Sequence, residues 1–116
     1  MNVQLGKLID SVDSLKAILA SKMEVSKAFA LAKSIQSVDK ELTAYESVRT
    51  EKVKELGEEK DGNYTVKTEN MDAFMEALNT IRNTEVDIAF PEIKSSDIKG
   101  DIEGSVFLSL DYLIKE

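Results

Sequence analysis

The sequence predicts a mainly α protein with a small β element, for three reasons. Long stretches repeat apolar residues at alternating spacings of three and four, the period of a helix with one buried face. The 116 residues include one proline and five glycines, too few turn residues for a many-stranded sandwich. Only two short segments have the character of strands. The length fits a single domain over residues 1–116, in which we expect a helical bundle or hairpin built on one long central helix.

The first predicted helix covers about residues 5–21. Its apolar stripe consists of Leu5, Leu8, Val12, Leu15 and Leu19, spaced three and four residues apart. Ser21, Lys22 and Met23 then interrupt the pattern, so a connection is expected there.

The second helix is predicted over about residues 24–56, a rod of roughly 50 Å at about 1.5 Å per residue. Its apolar positions follow a strict alternation of three and four, and they are Ala28, Leu31, Ile35, Val38, Leu42 and Tyr45. No glycine or proline interrupts it, so it should be continuous. Gly57 stands where a left-handed C-terminal cap is expected.

The rest of the chain alternates short strands with shorter helices. We expect a turn at Asp61-Gly62, strands at about 63–67 and 85–90 that pair with each other, a helix at about 69–83 and a last helix at about 105–115. The third helix has the stripe Met71, Phe74, Leu78 and Ile81, and should run antiparallel to the later half of the second. The aromatic residues expected in the core or at its edge are Tyr64, Phe90, Phe107 and Tyr112.

The composition argues against an enzyme. The chain has neither cysteine nor histidine, which removes thiol nucleophiles, the commonest general base and the commonest zinc ligands. Its glycines are isolated and form no phosphate-binding loop. We therefore predict no catalytic residue, no cofactor-binding residue and no bound cofactor.

One acidic segment leaves a metal hypothesis open. Asp97, Asp101 and Glu103 alternate along residues 97–103, as carboxylates do in part of a calcium loop. The rest of such a loop is missing, and Lys99 lies among the acidic residues. A solvated loop is the alternative, and no metal ligand is assigned.

Charge distribution argues against nucleic acid as a partner. The net charge is −7, and the residues after position 57 include fourteen acidic and six basic ones, a balance that repels phosphate. The basic residues of the second helix alternate with acidic ones, as on an ordinary solvated face. No apolar stretch is long enough to span a membrane and no secretion signal is visible, so a cytoplasmic location is expected.

Four residues of the second helix are candidates for contact with another protein. Phe29, Val48 and Val53 lie off the main stripe, and two shorter helices leave them little cover. Arg49 occupies the next stripe position; it either extends to solvent at the end of the packed region or forms a buried pair with a carboxylate. We predict self-association, most simply as a dimer. The alternative is that Phe107, Leu110 and Leu113 fold back over these residues.

The order of these features resembles a group of small helical proteins encoded in phages and prophages. The resemblance rests on KxxVSKAFALAK at 22–33, ELTAYESVR at 41–49, the DGNY turn at 61–64, MDAFMEALN at 71–79 and TEVDI at 84–88. The similar layout covers about residues 5–90. It implies a phage source and a bacterial host, and it assigns no functional residue.

Two functions fit these observations. One is a non-enzymatic phage accessory with a structural or assembly role, which acts through contacts with itself or with a host or phage protein. The other is a small acidic inhibitor or nucleic-acid mimic directed at a host protein, which the acidic excess after residue 57 favours.

Overall fold

The computed structural model describes residues 1–100 and 102–115. Its helices are α1 (Leu5–Leu19), α2 (Val25–Leu56), α3 (Met71–Arg82) and α4 (Gly104–Ser109). Its short strands are β1 (Asn2–Gln4), β2 (Gly57–Lys60), β3 (Asn63–Val66), β4 (Glu85–Asp87), β5 (Ile93–Lys94) and β6 (Ile114–Lys115). Single 3₁₀ turns cover Thr68–Asn70 and Ser95–Asp97. The predicted class, mainly α with a small β element, is confirmed.

Helix α1 lies at the centre of the molecule, although α2 is twice as long. It packs against α2, α3 and α4, and its Leu8, Leu15 and Ile18 are fully buried. Gly6 is buried as well, and a Cβ there would lie 3.2 Å from the carbonyl oxygen of Arg82. The absence of a side chain at Gly6 therefore lets the end of α3 approach the first turn of α1.

Helix α2 is unbroken from Val25 to Leu56, as the uninterrupted pattern predicts. Its 32 residues correspond to roughly 48 Å at about 1.5 Å per residue, and the longest dimension of the molecule is 49 Å. Leu31, Ile35, Val38 and Tyr45 point into the core. Helix α2 therefore extends over the whole length of the molecule, and shorter elements cover only part of it.

Helix α3 runs antiparallel to the second half of α2, as expected. At its start, the Asn70 side-chain amide donates a hydrogen bond to the Leu56 carbonyl at 2.9 Å. At its end, the Arg82 guanidinium lies beside Tyr45 and donates to Asp10 of α1 at 2.9 Å. Its Phe74 and Leu78 are buried.

The expected pairing between strands 63–67 and 85–90 is wrong. β3 pairs instead with β2, antiparallel, through a turn in which Asp61 and Gly62 both have positive φ (52° and 82°), the geometry of a tight hairpin turn. β4 pairs with β1 at the start of the chain, also antiparallel. β3 and β4 therefore pair with β2 and β1, two strands that the apolar periodicity did not predict.

The cap expected at Gly57 is also wrong. Gly57 is extended, with φ −115° and ψ −173°, and it leads directly from α2 into β2. A Cβ at this position would lie 2.5 Å from the Thr65 carbonyl oxygen and would also clash with the Val53 carbonyl. Glycine is therefore required here for close approach and not for a left-handed turn.

The last helix is shorter than the predicted 105–115. α4 ends at Ser109, and the chain then turns so that Ile114–Lys115 forms β6, parallel to β5. The turn buries both Leu110 and Leu113. If the helix continued to residue 115, residues 114–115 would be helical and could not pair with Ile93 and Lys94 of β5.

Candidate protein-contact surfaces

The described residues, 1–100 and 102–115, contain no cluster of three or more side chains able to hold a metal ion. Asp97, in the acidic segment 97–103, forms hydrogen bonds within the protein. Its carboxylate accepts a hydrogen bond from the Lys27 ammonium at 2.6 Å and one from the Lys94 backbone N–H at 2.8 Å. These bonds, led by that from Lys27, lower the pKa of Asp97. Asp101 lies outside the described residues.

A surface depression beside β1 has several ionisable residues in its lining. It is open, has a volume of about 430 Å³ and is lined by residues that include Lys7, Glu85 and Tyr112. Burial raises the pKa of the Tyr112 phenol, whose hydroxyl forms a hydrogen bond with Ser11 at 2.9 Å. A phenol with a raised pKa stays protonated at neutral pH and does not act as a base.

Phe29 lies on the face of α2 that points away from the core. Its side chain is 62% exposed, and that of Val25, one turn earlier, is 83% exposed. Phe29 is nine residues from the buried Val38, which places the two on opposite sides of the helix at about 100° per residue. The Lys33 ammonium lies 4.6 Å from the centroid of the Phe29 ring, within the range of a cation–π contact.

Phe29 belongs to a longer row of exposed residues, which we call the outer stripe. Successive members lie three or four residues apart, so they share one side of α2. None of them is acidic, although the molecule as a whole is. The outer stripe consists of Val25, Phe29, Lys33, Gln36, Lys40 and Thr43.

The other three predicted contact residues are not part of this surface. Val48 is exposed but lies 19 residues beyond Phe29, about 28 Å along the helix. Val53 is partly buried and packs against the core. The four residues of the sequence prediction therefore do not form one contact surface.

Arg49 extends to solvent in the single chain, so a buried ion pair within the domain is wrong, while a buried pair between two copies stays a prediction. Its guanidinium lies 3.9 Å from the Glu46 carboxylate, one turn earlier, and the two side chains are 47% and 62% exposed. Residues 46–51 are all exposed. Although α3 runs along this half of α2, these six residues remain exposed, so a stripe position at this level does not imply burial. An exposed pair of this kind contributes about 0–1 kcal/mol.

The alternative in which the C-terminal segment covers Phe29 is also wrong. α4 and the turn after it pack on α1, where Ser109 bonds to Ser14 and Tyr112 to Ser11. Phe107 is partly buried against the core while Phe29 stays exposed. The outer stripe is therefore open in the single chain.

Several exposed apolar residues differ from the sequence expectations. Met71 was expected in the stripe of the third helix, yet it is 41% exposed, and Met75 is 47% exposed. Tyr64, expected in the core or at its edge, is exposed on β3 with the Lys54 ammonium 5.9 Å from its ring centroid. Val25 was overlooked, although its spacing of four from Phe29 was a usable signal. Leu108 on α4 is 78% exposed and carried no such signal.

None of the helices in the described part of the chain is long and apolar enough to cross a membrane. Comparison with protein-family models, with curated proteins and with solved structures found no match to this chain.

Proposed function

We propose that this protein is a non-enzymatic accessory that acts through protein–protein contacts, with a structural or assembly role. The supporting observation is the outer stripe, where two large apolar side chains lie one turn apart on the solvent side of α2. Single exposed apolar residues are common on soluble proteins. Two adjacent exposed apolar side chains on one side of a helix are more typical of a contact surface.

The resemblance to small phage-encoded proteins supports a phage source, and with it a location in the cytoplasm of a bacterial host. A contact protein of this kind needs a stable scaffold and an accessible surface. The core around α1 is the scaffold, and the residues of the outer stripe are exposed in the described part of the chain.

Site-specific photo-cross-linking tests this proposal. A photoreactive phenylalanine analogue replaces Phe29, and in a matched control it replaces Leu108, which is at least as exposed but lies on α4. We expect discrete cross-linked adducts from position 29 in cells that produce the protein, and few from position 108. Absence of adducts at position 29, or the same adducts at both positions, would contradict a contact role for the outer stripe.

A second candidate is an acidic inhibitor or nucleic-acid mimic, favoured by the hairpin at the far end of α2. Glu58, Glu59 and Asp61 are all exposed on β2 and its turn. Such a protein would bind a basic nucleic-acid-binding site of a host protein and compete with DNA there. The triple change Glu58→Gln, Glu59→Gln and Asp61→Asn should abolish that competition, while Phe29→Ser should leave it intact.

A further inference from the structure

A second exposed apolar surface lies at the opposite end of the molecule. Met71 and Met75 are one turn apart on α3, and both are more than 40% exposed. The neighbouring side chains on the solvent side include Asp72 and Glu76. We call these four residues the methionine flank.

The methionine flank lies towards the start of α3, whereas α3 contacts Gly6 and Asp10 of α1 at its other end. Arg82 follows Met75 by seven residues, nearly two helical turns, and so lies on the same side of α3. At that level α1 covers α3, since Arg82 bonds to Asp10 and lies against Gly6. Met71 and Met75, on the same side of α3, are both exposed. The methionine flank is therefore the exposed part of the same side of α3 that packs against α1 at Arg82.

The outer stripe and the methionine flank have apolar residues at the same spacing and charges of opposite sign. Each presents two apolar side chains spaced i and i+4 on a helix, Val25 and Phe29 on one and Met71 and Met75 on the other. The stripe adds Lys33 and Lys40 without an acidic residue, whereas residues 68–81 include three acidic and no basic residues. Methionine thioethers also make favourable contacts with aromatic rings. Helix-on-helix docking would thus pair apolar residues at its centre and opposite charges at its edge.

One chain cannot make this contact with itself. The start of α3 is held at Leu56 by the Asn70 hydrogen bond. Phe29 and Leu56 are 27 residues apart on the unbroken α2, a separation of about 40 Å. Every copy has one outer stripe and one methionine flank. The stripe of one copy can therefore meet the flank of a second copy.

We propose that the outer stripe of one copy docks on the methionine flank of another. This inference rests on the proposed function and adds to it the identity of one partner, a second copy of this chain. The two surfaces in contact are different, unlike those of a dimer in which one patch meets itself. Because opposite charges border the interface, salt weakens the association.

Sedimentation of two complementary variants tests the proposal. The stripe variant carries Phe29→Ser and Lys33→Glu, and the flank variant carries Met75→Lys and Glu76→Lys; all four side chains are exposed, so the fold is expected to persist. We expect the wild-type mass to rise with concentration at about 50 mM salt and to fall towards that of one chain at about 1 M salt. Each variant alone should associate at least about tenfold more weakly.

Mixing the two variants gives the decisive result. Each retains the surface that the other has lost, so a 1:1 mixture should form a two-chain complex. The matched control, Leu108→Ser with Lys7→Glu, makes the same kinds of change at exposed positions outside both surfaces and should associate like the wild type. A monomeric wild type at all concentrations, or a stripe variant that associates normally, would overturn the inference. Position-29 adducts with other proteins alone would overturn it too, while the proposed contact function would stand.

Discussion

At the scale of single residues, two buried serines join segments that are far apart in the sequence. Ser11 donates a hydrogen bond to the Lys7 carbonyl at 2.6 Å, so the Tyr112 hydroxyl, 2.9 Å away, donates to Ser11 in turn. Ser34 donates to the Ala89 carbonyl at 2.6 Å. Both serines lie on apolar helix faces, where an unsatisfied hydroxyl would be costly. They therefore select which segment packs against each helix.

The role of Ser34 can be tested by Ser34→Ala. This change removes the donor to Ala89 and leaves that carbonyl without its partner, so we expect the free energy of unfolding to fall by about 1–3 kcal/mol. The control is Ser37→Ala on the same helix, an exposed site whose hydroxyl bonds only to the Lys33 carbonyl, at 3.4 Å. Urea denaturation measures the free energy of unfolding of both variants. Equal stability of the two variants would show that the Ser34 bond contributes nothing.

At the scale of elements, the junction between α2 and the β2–β3 hairpin depends on one glycine. A side chain at Gly57 would meet backbone carbonyls on both sides, which cannot move independently of the helix and the strand. The hairpin is thereby held against the end of α2, where Val66 and Leu56 are partly buried.

We expect Gly57→Ala to destabilise the protein by about 1–3 kcal/mol, the usual range for an overpacked site. The reason is the clash of the new Cβ with the carbonyl oxygens of Val53 and Thr65. Gly104→Ala, at the start of α4, is the matched control, since a Cβ there meets nothing within 4 Å. Thermal and urea unfolding of both variants would check this. The prediction is contradicted if the Gly57 variant is as stable as the Gly104 variant.

A second joint between elements is the ion pair that holds the 3₁₀ turn Ser95–Asp97 to α2. Lys27 donates to Asp97 at 2.6 Å and lowers the pKa of that carboxyl group. Because the folded-state pKa lies below the unfolded value of about 3.9, the pair stabilises the fold above about pH 4. That contribution is lost as the pH falls through the folded-state pKa.

Asp97→Asn tests whether the ion pair stabilises the fold at neutral pH and loses its effect in acid. The variant should have a lower Tm than the wild type at pH 7, and the difference should shrink as the pH is lowered from about 4 to 2. Asp13→Asn, which removes an exposed carboxylate of α1, serves as the control for the loss of one charge. A Tm difference for Asp97→Asn that does not change with pH would rule out the ion pair as its source.

At the scale of the whole molecule, the fold is a compact centre with an extended arm. The Cα radius of gyration is 17.2 Å, whereas a compact chain of this length has about 13 Å. The difference arises because α2 continues past α1, carrying α3 and the hairpin along its second half. This extension keeps the outer stripe and the methionine flank apart and accessible.

Small-angle X-ray scattering should show this extended shape in solution. At low protein concentration and about 1 M salt, where self-association is suppressed, we expect a radius of gyration near 17 Å and an asymmetric distance distribution. The Phe29→Ser, Lys33→Glu variant should give the same value, because its changes are at the surface. A radius near 13 Å would mean that the arm folds back on the centre.

The sequence by itself determined the elements whose signal is local. The uninterrupted alternation from Ala28 to Tyr45, without glycine or proline, predicted a continuous α2 and placed its start to within one residue. Its end was placed correctly at Leu56, although Gly57 does not form the left-handed cap on which that boundary was based. The Asp61-Gly62 turn was equally local, because positive φ at both positions is a property of those two residues. Helix periodicity and turn chemistry depend on neighbours a few positions away, which a single sequence displays.

Only the tertiary structure decided which strands pair and which stripe positions are buried. β1 and β4 are joined by backbone hydrogen bonds across more than 80 residues, and such bonds leave little trace in side-chain pattern. Arg49 and Met71 occupy stripe positions as regular as those of Val38 and Phe74, yet their side chains are exposed. Periodicity tells which side of a helix can be buried; the length and placement of the neighbouring elements decide how far along the helix that burial extends.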